Sequence, residues 1–148
     1  MSNTYVPTIS SGTAGPLGVL HLPRLWQKVS LESQSKLASG YPGIGGGFDT
    51  MVINALGLKP EAVRDYIKQN KPSYPQFEAW IKQQPGVKLD KQGIDELNKS
   101  ITGYKHDDET RKGIFANTGH TDETCSHRDA VNLNNLDDWH EFHQSVLK

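Results

Sequence analysis

The sequence predicts an all-α fold: a single-domain irregular bundle of six or seven short helices with an extended N-terminal arm. Three observations carry that expectation. Apolar residues recur at i, i+3, i+4 and i+7 in one segment after another. Residues that start and stop helices bracket those segments: Pro23, Pro60, Ser73 and Asp90 at beginnings, Gly40 and Gly57 at ends. No stretch alternates with the period of two that a half-buried strand needs, and the β-branched residues are scattered.

Residues 1–20 are rich in Ser, Thr, Gly and Pro and read as an arm without regular structure, with Val19, Leu20 and Leu22 available for packing. Residues 21–148 form the helical domain. Pro23 suits the first position of a helix, and Leu22, Leu25, Trp26 and Val29 make its apolar stripe, which Leu37 extends until Gly40 stops it. Phe48, Met51, Val52, Ala55 and Leu56 repeat the pattern, and Gly57 caps the end. Pro60 opens a third helix with Glu61 and Asp65 near its N-terminus and Val63, Tyr66 and Ile67 inward. Ser73 and Gln76 have capping-box spacing for a fourth, with Phe77, Trp80 and Ile81 on its apolar face. "QPGVKLD" is a turn, and Asp90 caps a fifth helix with Ile94, Leu97 and Ile101 inward. A shorter helix spans about Glu109 to Ala116, a polar loop follows over 117–130, and a last helix runs from Asn135 to Leu147.

At 148 residues the chain is long enough for one core, burying about 68–70% of its unfolded surface. The net charge of -1 and the dispersed lysines 59, 68, 71, 82, 88 and 91 give no field for nucleic acid or an anionic membrane. No apolar run approaches the roughly 20 residues that span a bilayer. The N-terminus lacks the basic start and apolar core of a secretory signal. A single cysteine, Cys125, precludes an intramolecular disulfide and fits a reducing, cytoplasmic setting. The partners expected are a small-molecule ligand and, in a second reading, another copy of the chain. No cofactor is called for.

Four glycines crowd "YPGIGGGFD", residues 41–49. A phosphate loop needs a preceding strand and a terminal Gly-Lys-Ser/Thr, and a dinucleotide fingerprint needs its third glycine where Phe48 stands; both fail. The amides of Gly46 and Gly47 precede a helix and can hold an anion or a carbonyl oxygen. The plainer alternative is a crowded connection where only glycine fits. Asp49 then complements the helix dipole or serves as a base at a cleft edge.

"NLNNLDDWHEFH" places histidines on the closing helix. With Leu136 at zero on a helical wheel, Trp139 falls at about -60°, His140 at about 40° and His143 at about -20°. His143 is therefore expected inward, where an imidazole must find a partner. Asn135 and Asp138 have capping-box spacing, which leaves Asn134 or Asn132 over for a ligand. His120, Cys125 and His127 are metal-ligand types, but no spacing matches a zinc signature, so no metal is assigned. Arg24, in "HLPR", lies off the apolar stripe, solvated, facing the arm or binding a carboxylate bidentately. Tyr41, Tyr74 and Trp80 are core or rim aromatics in the plain reading.

Four motifs, "GPLGVLHLPRLWQK", "YPGIGGGFDTMVINALGL", "SYPQFEAWIK" and "AVNLNNLDDWHEFH", resemble a family of small bacterial proteins, the domain of unknown function 5069, over about Gly12 to Leu147. The resemblance implies a stand-alone bacterial domain and carries no activity or catalytic residue with it.

The functional expectation is an acid/base enzyme (lyase, isomerase or hydrolase) acting on a small organic metabolite. His143 is its acid/base, and Asp49 orients it or acts as second base. Arg24 or His21 binds a substrate carboxylate, Tyr41 donates to an oxygen, the Gly46 and Gly47 amides hold it, and Tyr74, Trp80 and Asn134 line the ligand. Two alternatives stand beside it: a non-catalytic interaction module or homodimer presenting Trp26, Trp80 or Phe142, and a metal site at His120, Cys125 and His127.

Overall fold

The structure, a computed structural model, describes residues 3–148. Among the described residues seven α-helices follow one another: α1 (Leu22–Ser33), α2 (Phe48–Leu56), α3 (Pro60–Asn70), α4 (Tyr74–Lys82), α5 (Lys91–Gly103), α6 (Asp108–Thr118) and α7 (Ala130–Phe142). A π-helical turn (His143–Leu147) closes the chain. Pairings between strands are limited to isolated bridges among the described residues. The fold is all-α, as the apolar spacing predicts. No helix among the described residues is long and apolar enough to cross a membrane.

The inward stripes of α1 to α5 meet in one core, where Leu22, Leu25, Val52, Ile53, Val63, Ile67, Phe77, Ile81 and Ile101 are almost wholly excluded from solvent. Each such side chain contributes about 1.5–3 kcal/mol by leaving water. A smaller cluster of Ile114, Phe115 and Leu133 joins α6 to α7, with Cys125 and Leu136 against it. The capping signals act as expected at α4, where Ser73 and Gln76 bond reciprocally, and at α5, where the Asp90 carboxylate accepts from the Gly93 amide.

Two boundaries differ from the sequence expectation. α1 stops at Ser33, well short of Gly40, and Leu37 is not on it. Its end is a Schellman motif: the Lys36 amide donates to the Leu31 carbonyl and the Ser35 amide to the Glu32 carbonyl. Ser35 takes the left-handed position at φ 56°, where glycine is the usual residue, so the stop carries no glycine signal. Leu37 pairs instead with Tyr5 of the arm. α7 starts at Ala130, five residues before Asn135, because the Asp129 carboxylate caps it by accepting from the Asn132 amide at 3.0 Å.

The arm has no helix, yet it is bound tightly to the bundle. The Gln27 side chain accepts from the Thr8 and Ile9 amides, and Asn98 of α5 bonds both Leu20 and Gly18. Val6, Ser11 and Val19 are buried. This wrapping brings the arm across the N-terminal end of α1, beside the loop that enters α2.

Candidate functional site

His21, Arg24 and Lys28 stand at i, i+3 and i+7 on α1 and its N-cap, a polar stripe beside the apolar one. All three are buried. Such burial is tolerable only where each charge is paired, and a carboxylate meets each of them. Asp49, in the first turn of α2, accepts from His21 Nε2 at 2.6 Å through Oδ1. Its Oδ2 accepts from Lys28 Nζ at 2.5 Å and from the Gly45 amide at 2.8 Å. Asp138 of α7 takes Arg24 bidentately, Nη1 at 2.7 Å and Nη2 at 3.1 Å, and also accepts from the Tyr41 hydroxyl at 3.0 Å. The other ring nitrogen of His21, Nδ1, lies 2.9 Å from Ser11 Oγ on the arm.

His21 occupies the left-handed region at φ 70°, the N-cap position of α1, with no side-chain cap. A serine or aspartate there would bond the helix's own amides. Here the imidazole turns away to Ser11 and Asp49, and the backbone is held by Thr13, whose carbonyl accepts from the His21 amide at 3.1 Å. A backbone of this kind in a non-glycine residue costs about 1–3 kcal/mol and persists where its surroundings over-determine it.

These bonds fix the protonation states. Burial pushes the His21 imidazole below its ordinary value of 6.5, and the Asp49 bond and charge only partly oppose it. Burial alone would raise the Asp49 carboxyl; the His21 hydrogen bond, the Lys28 ammonium and the Gly45 amide outweigh it and hold the group below 3.8. An ionised carboxylate can only accept, so His21 Nε2 carries the proton. In the neutral ring Nδ1 is then the acceptor, and Ser11 donates to it.

These groups border one open cleft of about 290 Å³. Of the sequence-predicted residues, the structure brings His21, Arg24, Tyr41, Gly46, Gly47, Asp49 and Asn134 to it. Gly43 and Gly45 are the crowded glycines of the loop: an added Cβ would sit 2.3 Å from the Glu32 carboxylate at Gly43 and 2.9 Å from Pro42 at Gly45. Gly46 and Gly47 have open space around them and form the cleft wall. The same stretch is therefore a tight connection in its first half and an uncrowded stretch of cleft wall in its second.

Other expectations are corrected. His143 is exposed, outside the cleft, and is not the partner of Asp49. Ala130, Leu133, Asp137 and Asp138 set the inward face of α7 at about 110° from the wheel position of Leu136, because Arg24 draws Asp138 inside. Trp139, at 65% exposure, is thereby turned out to solvent. Asp138 is thus an ion-pair residue and no part of a cap. The fork of Arg24 is spent on Asp138 and on the Ile9 carbonyl, so it is not free for a substrate carboxylate. Tyr74 donates to buried Glu78 at 2.6 Å, and Trp80 stacks on Tyr66 at 4.5 Å; neither borders the cleft. His120 bonds Thr124, Cys125 packs on the small apolar cluster, and His127 faces Asp129; no three metal-ligand side chains gather among the described residues.

Sequence reasoning passed over Ser11, Lys28 and Asp137, and gave Asp138 only a capping role. The i, i+3, i+7 stripe of His21, Arg24 and Lys28 was the available signal for Lys28. Asp137 borders the cleft beside Asp138 and forms no ion pair among the described residues. Burial first, then the charges of Asp138 and Glu141, push its carboxyl above 3.8. Burial and the neighbouring Asp138 likewise push the Tyr41 hydroxyl up, so it remains a donor.

The fold and the cleft define a class: a small all-helical protein that holds a buried imidazole between a hydroxyl and an ionised carboxylate at an open, polar hollow. Residues 9–142 match the family described as Domain of unknown function (DUF5069), and the chain belongs to it. No curated protein is similar enough to count as a relative.

Proposed function

We propose that the cleft is the active site of an enzyme performing acid/base chemistry on a small organic molecule, with His21 as the group that takes and returns the proton. One observation carries this reading: the His21 imidazole is held at both nitrogens, Nε2 against the Asp49 carboxylate and Nδ1 against the Ser11 hydroxyl at the cleft wall. A base positioned by a carboxylate within hydrogen-bond reach is the arrangement proton transfer requires. Asp49 acts through His21 and is a positioning residue. Lys28 keeps Asp49 ionised without touching the ring.

With Arg24 and Lys28 paired internally, and the Asn134 side-chain oxygen taken by His106 Nε2 at 2.9 Å, the polar groups left for a ligand are the Gly46 and Gly47 amides, the Asn134 side-chain nitrogen and Asp137. They suit a neutral or cationic molecule rich in hydrogen-bonding groups better than a carboxylate. The single cysteine supports a cytoplasmic setting for it.

The test is a thermal-shift screen of small esters, amides, alcohols and amines, with NMR detection of turnover for each ligand that raises the melting temperature. A ligand of this cleft stabilises the wild type and not Asp137→Asn, and is converted by the wild type and not by His21→Gln. Conversion that survives His21→Gln contradicts the reading.

A second reading, a protein-interaction module, rests on the C-terminal face. Trp139, Phe142 and Val146 are exposed by 65%, 46% and 61% along one side of the last helix and turn. Light scattering across a concentration series separates a self-associating chain from a monomer.

A further inference from the structure

We infer that Ser11 is a nucleophile and that the cleft transfers acyl groups from esters or amides carrying a small apolar substituent. This inference rests on the acid/base reading above and names its reaction and substrate class.

Ser11 is 2% exposed, yet its residue borders the cleft. Its hydroxyl is not spent on the local turn: Ser10 does that, its Oγ accepting from the Gly12 amide and its carbonyl from the Thr13 amide. Ser11 Oγ instead reaches 10 residues along the chain to His21 Nδ1, and His21 in turn reaches Asp49. Hydroxyl, imidazole and carboxylate thus form one hydrogen-bonded line, with Lys28 closing it at the far end. That line is the geometry by which a weak hydroxyl nucleophile is activated.

The step balances as follows. Ser11 Oγ attacks the acyl carbon, and its proton passes to His21 Nδ1 as the Oγ–C bond forms. The imidazolium that results is stabilised by Asp49 at Nε2. Negative charge on the acyl oxygen falls to the Gly46 and Gly47 amides in the cleft wall, where the two glycines leave open space for it. His21 Nδ1 then returns the proton to the leaving oxygen or nitrogen as the bond from it to the acyl carbon breaks. Water repeats the sequence, releasing the acid and restoring Ser11. The apolar substituent has a place: a second hollow of about 250 Å³ shares Gly46, Gly47, Phe48 and Asn134 with the cleft and is lined besides by Met51, Tyr104, Ala130 and His106.

The experiment treats the full chain with a fluorophosphonate probe and locates the adduct by peptide mass mapping. The expected result is one adduct on Ser11, absent from Ser11→Ala and formed about 100-fold or more slowly in His21→Gln. Where Ser11→Ala disturbs folding, Ser11→Cys serves: iodoacetamide should modify position 11 at least tenfold faster than Cys125, and His21→Gln should remove that advantage. No adduct on Ser11, labelling indifferent to His21→Gln, or a thiol at position 11 no faster than Cys125 would each overturn the nucleophile. An unlabelled Ser11 in a protein whose turnover still depends on His21 removes the nucleophile and leaves the acid/base reading standing. Turnover that is indifferent to both residues removes both.

Discussion

Replacing Asp138 by asparagine should be among the most damaging single changes that leave side-chain volume intact. The Asp138 carboxylate accepts both prongs of Arg24 and the Tyr41 hydroxyl, and its residue is 7% exposed. The amide keeps one acceptor and loses the charge. Arg24, 6% exposed, then carries an uncompensated cation, with one amide oxygen and the Ile9 carbonyl left as acceptors. Removing one partner of a buried pair in this way costs about 3–5 kcal/mol. For 148 residues the unfolding entropy is about 0.3 kcal/mol per degree, so the melting temperature should fall by roughly 10–16 °C. Tyr41→Phe removes a single bond to the same carboxylate and should cost only about 1.5 kcal/mol. The double variant Arg24→Met/Asp138→Leu should be more stable than Asp138→Asn, since it leaves no charge behind. Calorimetric melting of the set at one pH decides the matter. An Asp138→Asn protein melting within about 2 °C of the wild type would refute both the burial and the pairing.

The pH dependence of His21 has a definite sign. Its folded pKa lies below 6.5, so its contribution is complete above that value and is lost as pH falls, when the unfolded chain takes up the proton first. The stability difference between wild type and His21→Gln, followed by urea titration, should shrink from about pH 7.5 to about pH 5. Asp137→Asn should raise the melting temperature at neutral pH by a few degrees, because it removes a desolvated carboxylate facing Asp138 and Glu141. That gain should vanish at pH values where Asp137 is already protonated. Gly45→Ala should cost about 1 kcal/mol or more through the contact with Pro42, whereas Gly46→Ala, in open space, should stay within about 0.5 kcal/mol.

What the sequence made legible follows local physics. The apolar spacings of α2, α3, α4 and α5, and caps such as Ser73 and Asp90, depend on neighbours within a turn, and the structure agrees with them. The glycine loop and His21 were recognisable as chemistry-bearing because their residue types are unusual at a helix start. The partners were not. Ser11 and His21 are ten residues apart, His21 and Asp49 twenty-eight, Arg24 and Asp138 one hundred and fourteen. No periodicity encodes such pairings. They also explain the error over His143: hydropathy alone turns Trp139 and His143 inward, whereas the salt link from Arg24 to Asp138 outweighs it and rotates the buried face of α7. An end marked by a left-handed serine, as at Ser35, is invisible to a search for glycine.

The most direct measurement is nitrogen NMR of the His21 side chain in the full chain across a pH series. A neutral ring should be found well below pH 6.5, with the proton on Nε2 toward Asp49 and Nδ1 bare toward Ser11. A ring protonated at both nitrogens at neutral pH, or one carrying its single proton on Nδ1, would leave no base in the cleft and would contradict the functional reading at its root.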